Sequence, residues 1–419
     1  MSEVTWEITS LSELGTFSRG KSKHRPRNDA KLFEGGTYPL VQTGDVKAAN
    51  LYITKNDSYY NDFGLKQSKL WPAGTLCITI AANIAETAIL SYPMCFPDSI
   101  VGFNANPEKS SELFVYYFFE YIKKEIQKSA SGSIQDNINI DYLSKMRIKV
   151  PEKDYQDKIV EVLSSIDKKI LLNNQINQEL EDMAKTLYDY WFVQFDFPDQ
   201  NGKPYKSSGG KMVYNPELKR EIPEGWGVDS LWNIANFYNG LAMQKYRPDT
   251  NEDDYFPVIK IREMMNGFSK DTEKARLDIP TEAVVERGDI LFSWSATLEV
   301  IIWGKERGAL NQHIFKVTSD TYPKSFIYFE LKSYLKVFKA IAELRKTTMG
   351  HITQDHLKQA KIVVPPIEII SKLDAKLQLI MLKQQILENQ NQELTQLRDW
   401  LLPMLMNGQV YKRIEGKND

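Results

Sequence analysis

Residues 176–183 read INQELEDM, and residues 390–397 read QNQELTQL. The tetrapeptide Asn-Gln-Glu-Leu therefore stands at 177–180 and again at 391–394, 214 positions later. Four identical residues can recur by chance. The sequence on either side decides whether the chain is duplicated.

The residues around these tetrapeptides also recur in the same order. Trp6 and Trp226 each open a segment that ends in glycine, and four further patterns follow in both halves. The matching pairs are YPLVQTGDV (38–46) with YFPVIKIREM (255–264), AGTLCITIA (73–81) with RGDILFSWSA (287–296), FVYYFFEYIKKEI (114–126) with FIYFELKSYLKVF (326–338), and KMRIKVP (145–151) with KQAKIVVPP (358–366). The offset is constant at 214 from Leu143 onward and drifts between about 213 and 220 before it, which is typical of a duplication with insertions in loops.

Each half ends in a long stretch of helical periodicity, in which apolar residues recur at alternating steps of four and three. Asn177 and Asn391 fall on this seam. A polar seam residue costs stability but fixes register, so we interpret both as coiled-coil register positions. Two separate amphipathic helices, each packed on its own core, are the alternative. The seams are Ile159, Leu163, Ile166, Ile170, Asn173, Asn177, Leu180 and Leu187 in the first half, and Leu373, Leu377, Ile380, Gln384, Leu387, Asn391, Leu394 and Leu401 in the second.

These patterns predict an α+β protein with an internal pseudo-two-fold repeat. Two similar domains of mixed α/β content are separated by an antiparallel coiled coil of two long helices. The predicted boundaries are a first domain at 1–152, a first long helix at 153–194, a linker at 195–222 with the flexible stretch SSGGK (207–211), a second domain at 223–366, a second long helix at 367–406, and a tail at 407–419.

Composition limits the class of protein. The 419 residues carry a formal net charge of −2, and they contain neither an apolar run long enough to span a membrane nor a signal-peptide core, so we expect a cytoplasmic protein without membrane partners. Cys77 and Cys95 lack metal-ligand spacing and are expected to be reduced core residues. No metal site is predicted, because the four histidines show no ligand spacing with cysteines or carboxylates.

Several motifs resemble those of the specificity subunit of type I restriction–modification systems, in which two target-recognition domains are separated by two long helices. The resemblance spans essentially the whole chain in order. It departs from the family's frequent Glu-Gln pair at the start of each helix, where Tyr155-Gln156 and Ile370-Ser371 stand here. The motifs are Tyr190-Trp191-Phe192-Val193 with Phe195-Asp196, Glu217 with Ile222-Pro223-Glu224-Gly225-Trp226, Val150-Pro151 and Val364-Pro365-Pro366, and Leu401-Leu402-Pro403-Met404-Leu405 with Gly408.

The resemblance implies a non-catalytic subunit that binds double-stranded DNA. Two adenine-N6 methyltransferase subunits using S-adenosylmethionine would dock on it, and restriction subunits using ATP and magnesium are a further partner class. The residues themselves also predict a chain without catalytic activity, since neither an adenine-methyltransferase tetrapeptide nor a phosphate-binding GxxxxGK[ST] loop occurs. No cofactor is predicted for this chain. A self-contained methyltransferase or nuclease and a coiled-coil scaffold for protein partners are the alternatives.

DNA-contacting residues are expected on loops, where cations can reach phosphates and polar side chains can reach base edges. Each candidate also has a structural explanation, such as a solvated loop or a helix C-cap. The predicted residues are Arg19, Lys21, Lys23, Arg25 and Arg27 with their counterparts Gln244, Lys245 and Arg247; Lys128, Ser131, Ser133 and Gln135 with Arg345, Lys346, Thr347 and Thr348 after the aromatic helices; and the strand ends Gln42, Thr43, Lys260 and Arg262. The helical aromatics Phe114, Tyr116, Tyr117, Phe118, Phe326, Tyr328 and Phe329 are predicted to be core.

Overall fold

The computed structural model describes residues 4–81, 83–131, 140–250, 254–269, 271–344 and 351–409, with the backbone alone for 128–131 and 344. The chain divides into two compact units. Unit 1 comprises Met1–Leu172 and Gln390–Asp419, and unit 2 comprises Asn173–Asn389. Both long helices begin in one unit and end in the other.

Unit 1 opens with a strand, a capped single turn of helix and a second strand. Ser10 caps the turn, since Glu13 Oε2 accepts a hydrogen bond from its backbone N–H at 2.8 Å. The strands are β1 (Trp6–Ser10), β2 (Gly15–Arg19), β3 (Tyr38–Leu40), β4 (Tyr52–Ile53), β5 (Ser58–Tyr60), β6 (Leu70–Trp71), β7 (Leu76–Thr79), β8 (Thr87–Leu90), β9 (Met94–Cys95), β10 (Ile100–Ala105) and β11 (Arg147–Pro151). The helices are α1 (Leu11–Leu14), α2 (Thr43–Ala48), α3 (Asp62–Lys66), α4 (Glu112–Ser131), α5 (Ile140–Lys145) and α6 (Lys153–Tyr188).

Unit 2 repeats this order of elements. Ser230 caps its first helical turn, with its Oγ accepting a hydrogen bond from Asn233 N at 3.2 Å. The strands are β12 (Met212–Asn215), β13 (Arg220–Pro223), β14 (Gly227–Ser230), β15 (Asn236–Asn239), β16 (Phe256–Ile259), β17 (Lys274–Ala275), β18 (Val284–Val285), β19 (Ile290–Ser293), β20 (Glu299–Ile302), β21 (Gly308–Leu310), β22 (Ile314–Thr318) and β23 (Lys361–Val364). The helices are α7 (Leu231–Ile234), α8 (Ile261–Asn266), α9 (Lys324–Leu344), α10 (Gln354–Gln359) and α11 (Ile367–Met406).

The sheets of the two units have corresponding strand orders, except that the edge strand β4 of unit 1 has no counterpart in unit 2. In unit 1 the orders are β1-β11, β2-β10-β7-β8-β4 and β5-β3-β9-β6. In unit 2 they are β14-β23, β15-β22-β19-β20 and β17-β16-β21-β18, with β12-β13 as an additional hairpin. A parallel pair also corresponds, since β3 runs parallel to β9 and β16 runs parallel to β21, whereas the parallel pair of β4 with β8 belongs to unit 1. The tandem repeat predicted from the sequence is therefore a repeat of the fold.

Each domain packs on the start of one long helix and the end of the other. In unit 1, Ile159 and Leu163 of α6 share a core with Leu405 and Met406 of α11. In unit 2, the start of α11 shares a core with the end of α6, through Leu373 and Leu377 with Ala184 and Tyr188.

The helices run antiparallel. In unit 1, Arg398 Nη1 donates a hydrogen bond to Asp167 Oδ1 at 3.0 Å, and in unit 2 Gln384 Nε2 donates one to Asn177 O at 3.3 Å. A higher residue number on α11 thus pairs with a lower one on α6. The predicted α+β fold with two domains and an antiparallel helix pair is confirmed, but the seam residues serve the domain cores as well as the helix pair.

The motif that ends the first long helix is structural. A π-helical turn, Asp189–Val193, follows α6 and buries Trp191 and Phe192. The rings of Phe192, Phe195 and Phe197 lie 5.9, 5.5 and 4.9 Å from that of Trp226. The stretch SSGGK (207–211), predicted to be a flexible part of the linker, makes hydrogen bonds with the residues before it. Ser207 donates to Asp196 through both its backbone N–H (2.7 Å) and its hydroxyl (2.6 Å), and the β12-β13 hairpin follows.

The aromatic helices α4 and α9 form the cores of the two domains, as predicted. The seven aromatic side chains singled out in the sequence are all buried, among them Phe114, Tyr117 and Phe326 at 1 % exposure each. Cys77 and Cys95 are buried and not joined in a disulfide. Gln156, at the departure from the family's Glu-Gln pair, is also buried. Its side-chain oxygen accepts a hydrogen bond from Ser110 Oγ, and its Nε2 donates to Lys109 O and Pro151 O. Among the described residues no helix is long and apolar enough to cross a membrane.

Candidate DNA interface

The basic loop of the first domain leaves β2 through a glycine that no other residue can replace without movement. Gly20 N donates to Ile100 O at 2.9 Å, and a Cβ at Gly20 would lie 2.2 Å from Pro97 O. Only the absence of a side chain allows the loop to pass this close to the turn at 96–99. Lys21, Lys23, Arg25 and Arg27 follow and are all exposed.

Asp98, in this turn, lies close to three arginines of β2 and the loop. Its backbone carbonyl accepts from Arg19 Nε at 2.5 Å, and its carboxylate accepts from Arg27 Nη2 at 2.5 Å. Arg25 Nη2 lies 3.8 Å from the second carboxylate oxygen. Arg25 Nη1 itself donates to Ser22 O (2.6 Å) and His24 O (2.8 Å). The side chains of Arg25 and Arg27 are 55 % and 49 % exposed, so the guanidinium of Arg27 is held by Asp98, that of Arg25 is held by its own loop near Asp98, and both are open to a ligand.

Further polar contacts order the rest of the loop. Gln67 Oε1 accepts hydrogen bonds from the backbone N–H groups of Lys23 (2.7 Å) and His24 (3.1 Å). His24 Nε2 lies 2.8 Å from Asp29 Oδ2, and this hydrogen bond lowers the pKa of Asp29. These hydrogen bonds within the protein define the path of the loop.

The second domain uses the same scaffold with different side chains. Gly240 N donates to Ile314 O at 3.0 Å, and a Cβ at Gly240 would lie 2.3 Å from Asn311 O. The loop after it makes a short 3-10 turn, Met243–Tyr246. Gln244, Lys245 and Arg247, predicted as the counterparts of the first loop, are exposed there.

The two loops contact equivalent turns. Gly20 and Gly240 contact the turns that precede β10 and β22, and these strands pair with β7 and β19 in the same register, with Ile100 opposite Thr79 and Ile314 opposite Ser293. Position 98 in the first domain corresponds to position 312 in the second, again at an offset of 214. An aspartate stands at the first position and a glutamine at the second.

The strand ends predicted to contact DNA start two short helices. Gln42 and Lys260 are the N-caps of α2 and α8, and Thr43 is the first residue of α2. In the second domain both cations have acidic partners, since Lys260 Nζ lies 2.6 Å from Glu273 Oε1 and Arg262 Nη2 lies 2.6 Å from Glu263 Oε1. The hydrogen bond from Lys260 lowers the pKa of Glu273. The hydrogen bond to Glu263 raises the pKa of Arg262. Like Arg27 of the first loop, both cations are therefore paired with a carboxylate.

The loops after the aromatic helices are described only at their edges. Lys128 and Ser131 lie in the last turns of α4, where only the backbone is described. The remaining residues predicted there lie outside the described residues, namely Ser133, Gln135, Arg345, Lys346, Thr347 and Thr348.

The two residues predicted to set the helix register lie on the long helices α6 and α11. Asn177 and Asn391 are half-buried, each in its own unit. The backbone carbonyl of Asn177 accepts from Gln384, and its side-chain Oδ1 is buried without a hydrogen-bond partner among the described residues. Asn173, one turn earlier on the same seam, is fully buried.

A polar and aromatic cluster in the second domain was missed in the sequence. Trp294, at the end of β19, donates from Nε1 to Asn239 Oδ1 at 2.9 Å, and its ring centroid lies 5.6 Å from that of His313. His313 is exposed, with Nδ1 3.2 Å from Ser295 Oγ and Nε2 3.3 Å from Gln312 Nε2. The cluster lies where the second loop contacts its turn.

A signal for these residues was present in the offset. Shifting by 214 aligns Ile80 with Trp294, Asp98 with Gln312 and Ser99 with His313, so each pair replaces one residue type by another on a common backbone. A pattern of clustered cations does not include Asp98, because its charge has the opposite sign. A tryptophan after a β-rich run, such as Trp294, resembles a core residue.

Comparison with known proteins gives one family. The profile of the type I restriction modification DNA specificity domain matches residues 3–182 and 223–396. The chain is 26 % identical to the type I restriction enzyme MjaIX specificity subunit of Methanocaldococcus jannaschii, over 97 % of this chain and 93 % of that protein. It is also 26 % identical to the type I restriction enzyme HindI specificity subunit of Haemophilus influenzae, over 92 % and 97 % respectively. The crystal structure of the type I restriction-modification S subunit from M. genitalium has the same fold, with a TM-score of 0.54 and 16 % identity over 97 % of each chain.

Proposed function

This chain belongs to the family of type I restriction–modification DNA specificity proteins, and we propose that each of its two domains reads one half of a bipartite DNA site. The observation that carries the proposal is the conserved backbone with exchanged side chains at the loop and turn of each domain. Gly20 and Gly240 make the same close approach, while Asp98 with its arginines is replaced by Gln312, His313 and Trp294. A repeated scaffold with different polar groups is suited to reading two different short sequences.

The two sites have donors and acceptors suited to different bases. Arginine forks match the O6 and N7 acceptors of guanine, and a glutamine amide matches the N6 and N7 edge of adenine. In the first domain Arg25 and Arg27 supply the forks, and in the second Gln312 supplies the amide. Lys21, Lys23, Lys245 and Arg247 contact phosphates, which positions each domain without selecting a sequence.

We further propose that the long helices dock two methyltransferase subunits. Each unit exposes apolar side chains on these helices: in unit 2 Leu379 is 70 % and Leu382 58 % exposed, and in unit 1 Trp400 is 57 % exposed. Apolar groups of this size on a helix surface suit a protein interface better than water. The helices also set the spacing between the two half-sites.

Catalysis belongs, in this proposal, to the partner subunits. The methyltransferase subunits bring S-adenosylmethionine, restriction subunits bring ATP and magnesium, and this chain binds none of these. Family membership favours DNA as the ligand over a scaffold role with protein partners alone.

The experiment is to express the chain with methyltransferase subunits of such a system in a host and to map N6-methyladenine across the genome. We expect a new bipartite motif, with two specified halves separated by a fixed number of unspecified base pairs. The same subunits without this chain serve as the control and should give no such motif. A motif that is absent, or that is unchanged when the chain is omitted, contradicts the proposal.

A further inference from the structure

The meeting of three arginines at Asp98 is not required by the fold. The equivalent position in the second domain is Gln312, which lies in the same turn, and its backbone N–H donates to Leu241 O at 2.9 Å. The turn thus keeps its backbone contacts to the loop with a neutral residue. Of the two domains, only the first has a carboxylate at this position of the turn. The first domain is also the one whose basic loop carries more than one arginine.

The carboxylate changes what the arginines can bind. A half-exposed guanidinium group on a mobile side chain binds phosphates at any DNA sequence, because phosphate contacts depend on charge and not on the base. In this structure Arg27 Nη2 is 2.5 Å and Arg25 Nη2 3.8 Å from the carboxylate of Asp98, whose side chain is 31 % exposed. A phosphate must displace this acceptor and also meets its negative charge. The N7 and O6 acceptors of guanine carry no net charge, so they can bind the free N–H groups of a guanidinium that Asp98 still orients.

We propose that Asp98 is a specificity-determining positioning residue of the first domain. It orients Arg27 through a hydrogen bond and places its negative charge 3.8 Å from Arg25, whose own orientation is set by Ser22 O and His24 O. This charge opposes contacts of both arginines with phosphates, so that the loop gains affinity where a guanine edge is present. This inference rests on the proposed DNA contact of the first domain. It adds that the discrimination between target and other DNA depends on an acidic residue that touches no base itself.

The test is Asp98→Asn in the full chain assembled with methyltransferase subunits. Asparagine keeps the size and one acceptor but removes the charge. We expect binding to duplex DNA without the target site to tighten by roughly tenfold at low salt, and the salt dependence to steepen by about one unit of slope, as for one added phosphate contact. Affinity for target DNA should change less, so the ratio of target to non-target binding should fall. In the methylated motif, only the half read by the first domain should become degenerate.

The matched control is Asp57→Asn, which removes the same charge from an exposed residue of the same domain. It should leave the ratio and the motif unchanged. If Asp98→Asn and Asp57→Asn tighten target and non-target binding equally, the effect is general electrostatics and the inference is wrong. Asp98→Gln places in the first domain the residue that the equivalent turn of the second domain contains. It should show the same loss of discrimination, and full discrimination by a folded Asp98→Gln chain also overturns the inference.

The failure of the inference can be told apart from that of the proposed function. The double variant Arg25→Ala/Arg27→Ala removes the cations themselves. If it weakens DNA binding while both Asp98 variants keep full discrimination, only the role of Asp98 is wrong. If the double variant binds target and non-target DNA as the unmodified chain does, the loop does not contact DNA, and the inference is overturned together with that part of the proposed function.

Discussion

Arg398 of the second long helix donates to Asp167 of the first, with Nη1 3.0 Å from Oδ1, in unit 1. The other carboxylate oxygen of Asp167 accepts from Tyr117 OH of the aromatic helix at 2.6 Å. Asp167 is therefore the point where both long helices and the domain core meet. Its side chain is 9 % exposed and that of Arg398 is 28 % exposed, so water replaces these contacts poorly.

Asp167→Ala should destabilise unit 1 strongly. Removing Asp167 leaves the partly buried Arg398 paired only with the exposed carboxylate of Asp399 and leaves Tyr117 OH without its acceptor, and we expect a loss of roughly 2–4 kcal/mol in the free energy of unfolding. Asp399→Ala is the matched control, since Asp399 contacts the same guanidinium at 3.0 Å but is 64 % exposed. Its loss should stay below about 1 kcal/mol. Chemical denaturation of the unmodified chain and the two variants measures these losses. Equal losses for the two variants would contradict the assigned role of Asp167.

A buried carboxyl in unit 2 should make stability depend on pH. Burial raises the pKa of Glu330 to about 7, although the hydrogen bond from Tyr188 OH, at 2.5 Å, acts in the opposite direction. In the unfolded chain the group titrates near its ordinary value, so between about pH 4.5 and 7 the folded state holds a proton that the unfolded state has released. Unfolding then becomes easier as pH rises through this range, and the stability contributed by the neutral carboxyl is fully present only below it.

Glu330→Gln keeps the shape and removes the titration. We expect the variant to be more stable than the unmodified chain at pH 8, by roughly 1–3 kcal/mol, and to gain nothing at pH 4.5. Glu343→Gln, at an exposed position of the same helix, is the control and should show no such dependence. Urea unfolding at the two pH values measures this. A gain for Glu330→Gln that is the same at both values would show that the carboxyl does not titrate in this range.

The seam asparagines should cost stability. Because Asn177 Oδ1 is buried without a hydrogen-bond partner among the described residues, replacing Asn177 and Asn391 together by Leu should raise the melting temperature or loosen the register of the pair. Asn174→Leu, at an exposed position of the same helix, should not raise it. Thermal unfolding and assembly with the methyltransferase subunits are the measurements. A double variant that keeps its stability and assembly but loses DNA sequence preference contradicts the role as a register position.

The parts of the fold that could be predicted are those with a local signal. The heptad spacing and the absence of proline between Asp154 and Phe192 predicted the first long helix, and the constant offset of 214 predicted the second domain. The division of each domain into two main sheets had no such signal. It depends on pairings such as Leu40 with Cys95, between strands of three and two residues, which are too short to show a period of two.

The candidate interface was predictable in part for a similar reason. Clustered cations mark a loop as basic, so Arg25 and Arg27 could be found, but the residue that orients them comes from a turn more than seventy positions away. Charge clustering along the sequence cannot show such a partner. Lys260 and Arg262 are predicted from their place at a strand end, and the pairing of Lys260 with Glu273, thirteen residues later, has no signal in the sequence.

The two domains should be separable in their effect on recognition. Arg25→Ala/Arg27→Ala should alter only the half of the methylated motif read by the first domain, and Lys245→Ala/Arg247→Ala should affect only the other half. A lost phosphate contact should weaken binding to every sequence and flatten the salt dependence by about one unit of slope. A lost base contact should instead relax the motif at one position, at a cost of about 1–3 kcal/mol.

Gln312→Ala separates these two effects within the second domain. Gln312 carries no charge, so its removal should leave the salt dependence unchanged while it relaxes one position of the second half-motif. Lys245→Ala in the same domain is its matched control and should show the reverse, a flatter salt dependence with an intact motif. The methylated motif and the salt dependence of binding, measured on the assembled complex for each variant, give the answer. A change confined to residues 19–27 that rewrites both half-motifs would contradict two independent readers, because the two loops contact separate turns, each built from residues of its own domain.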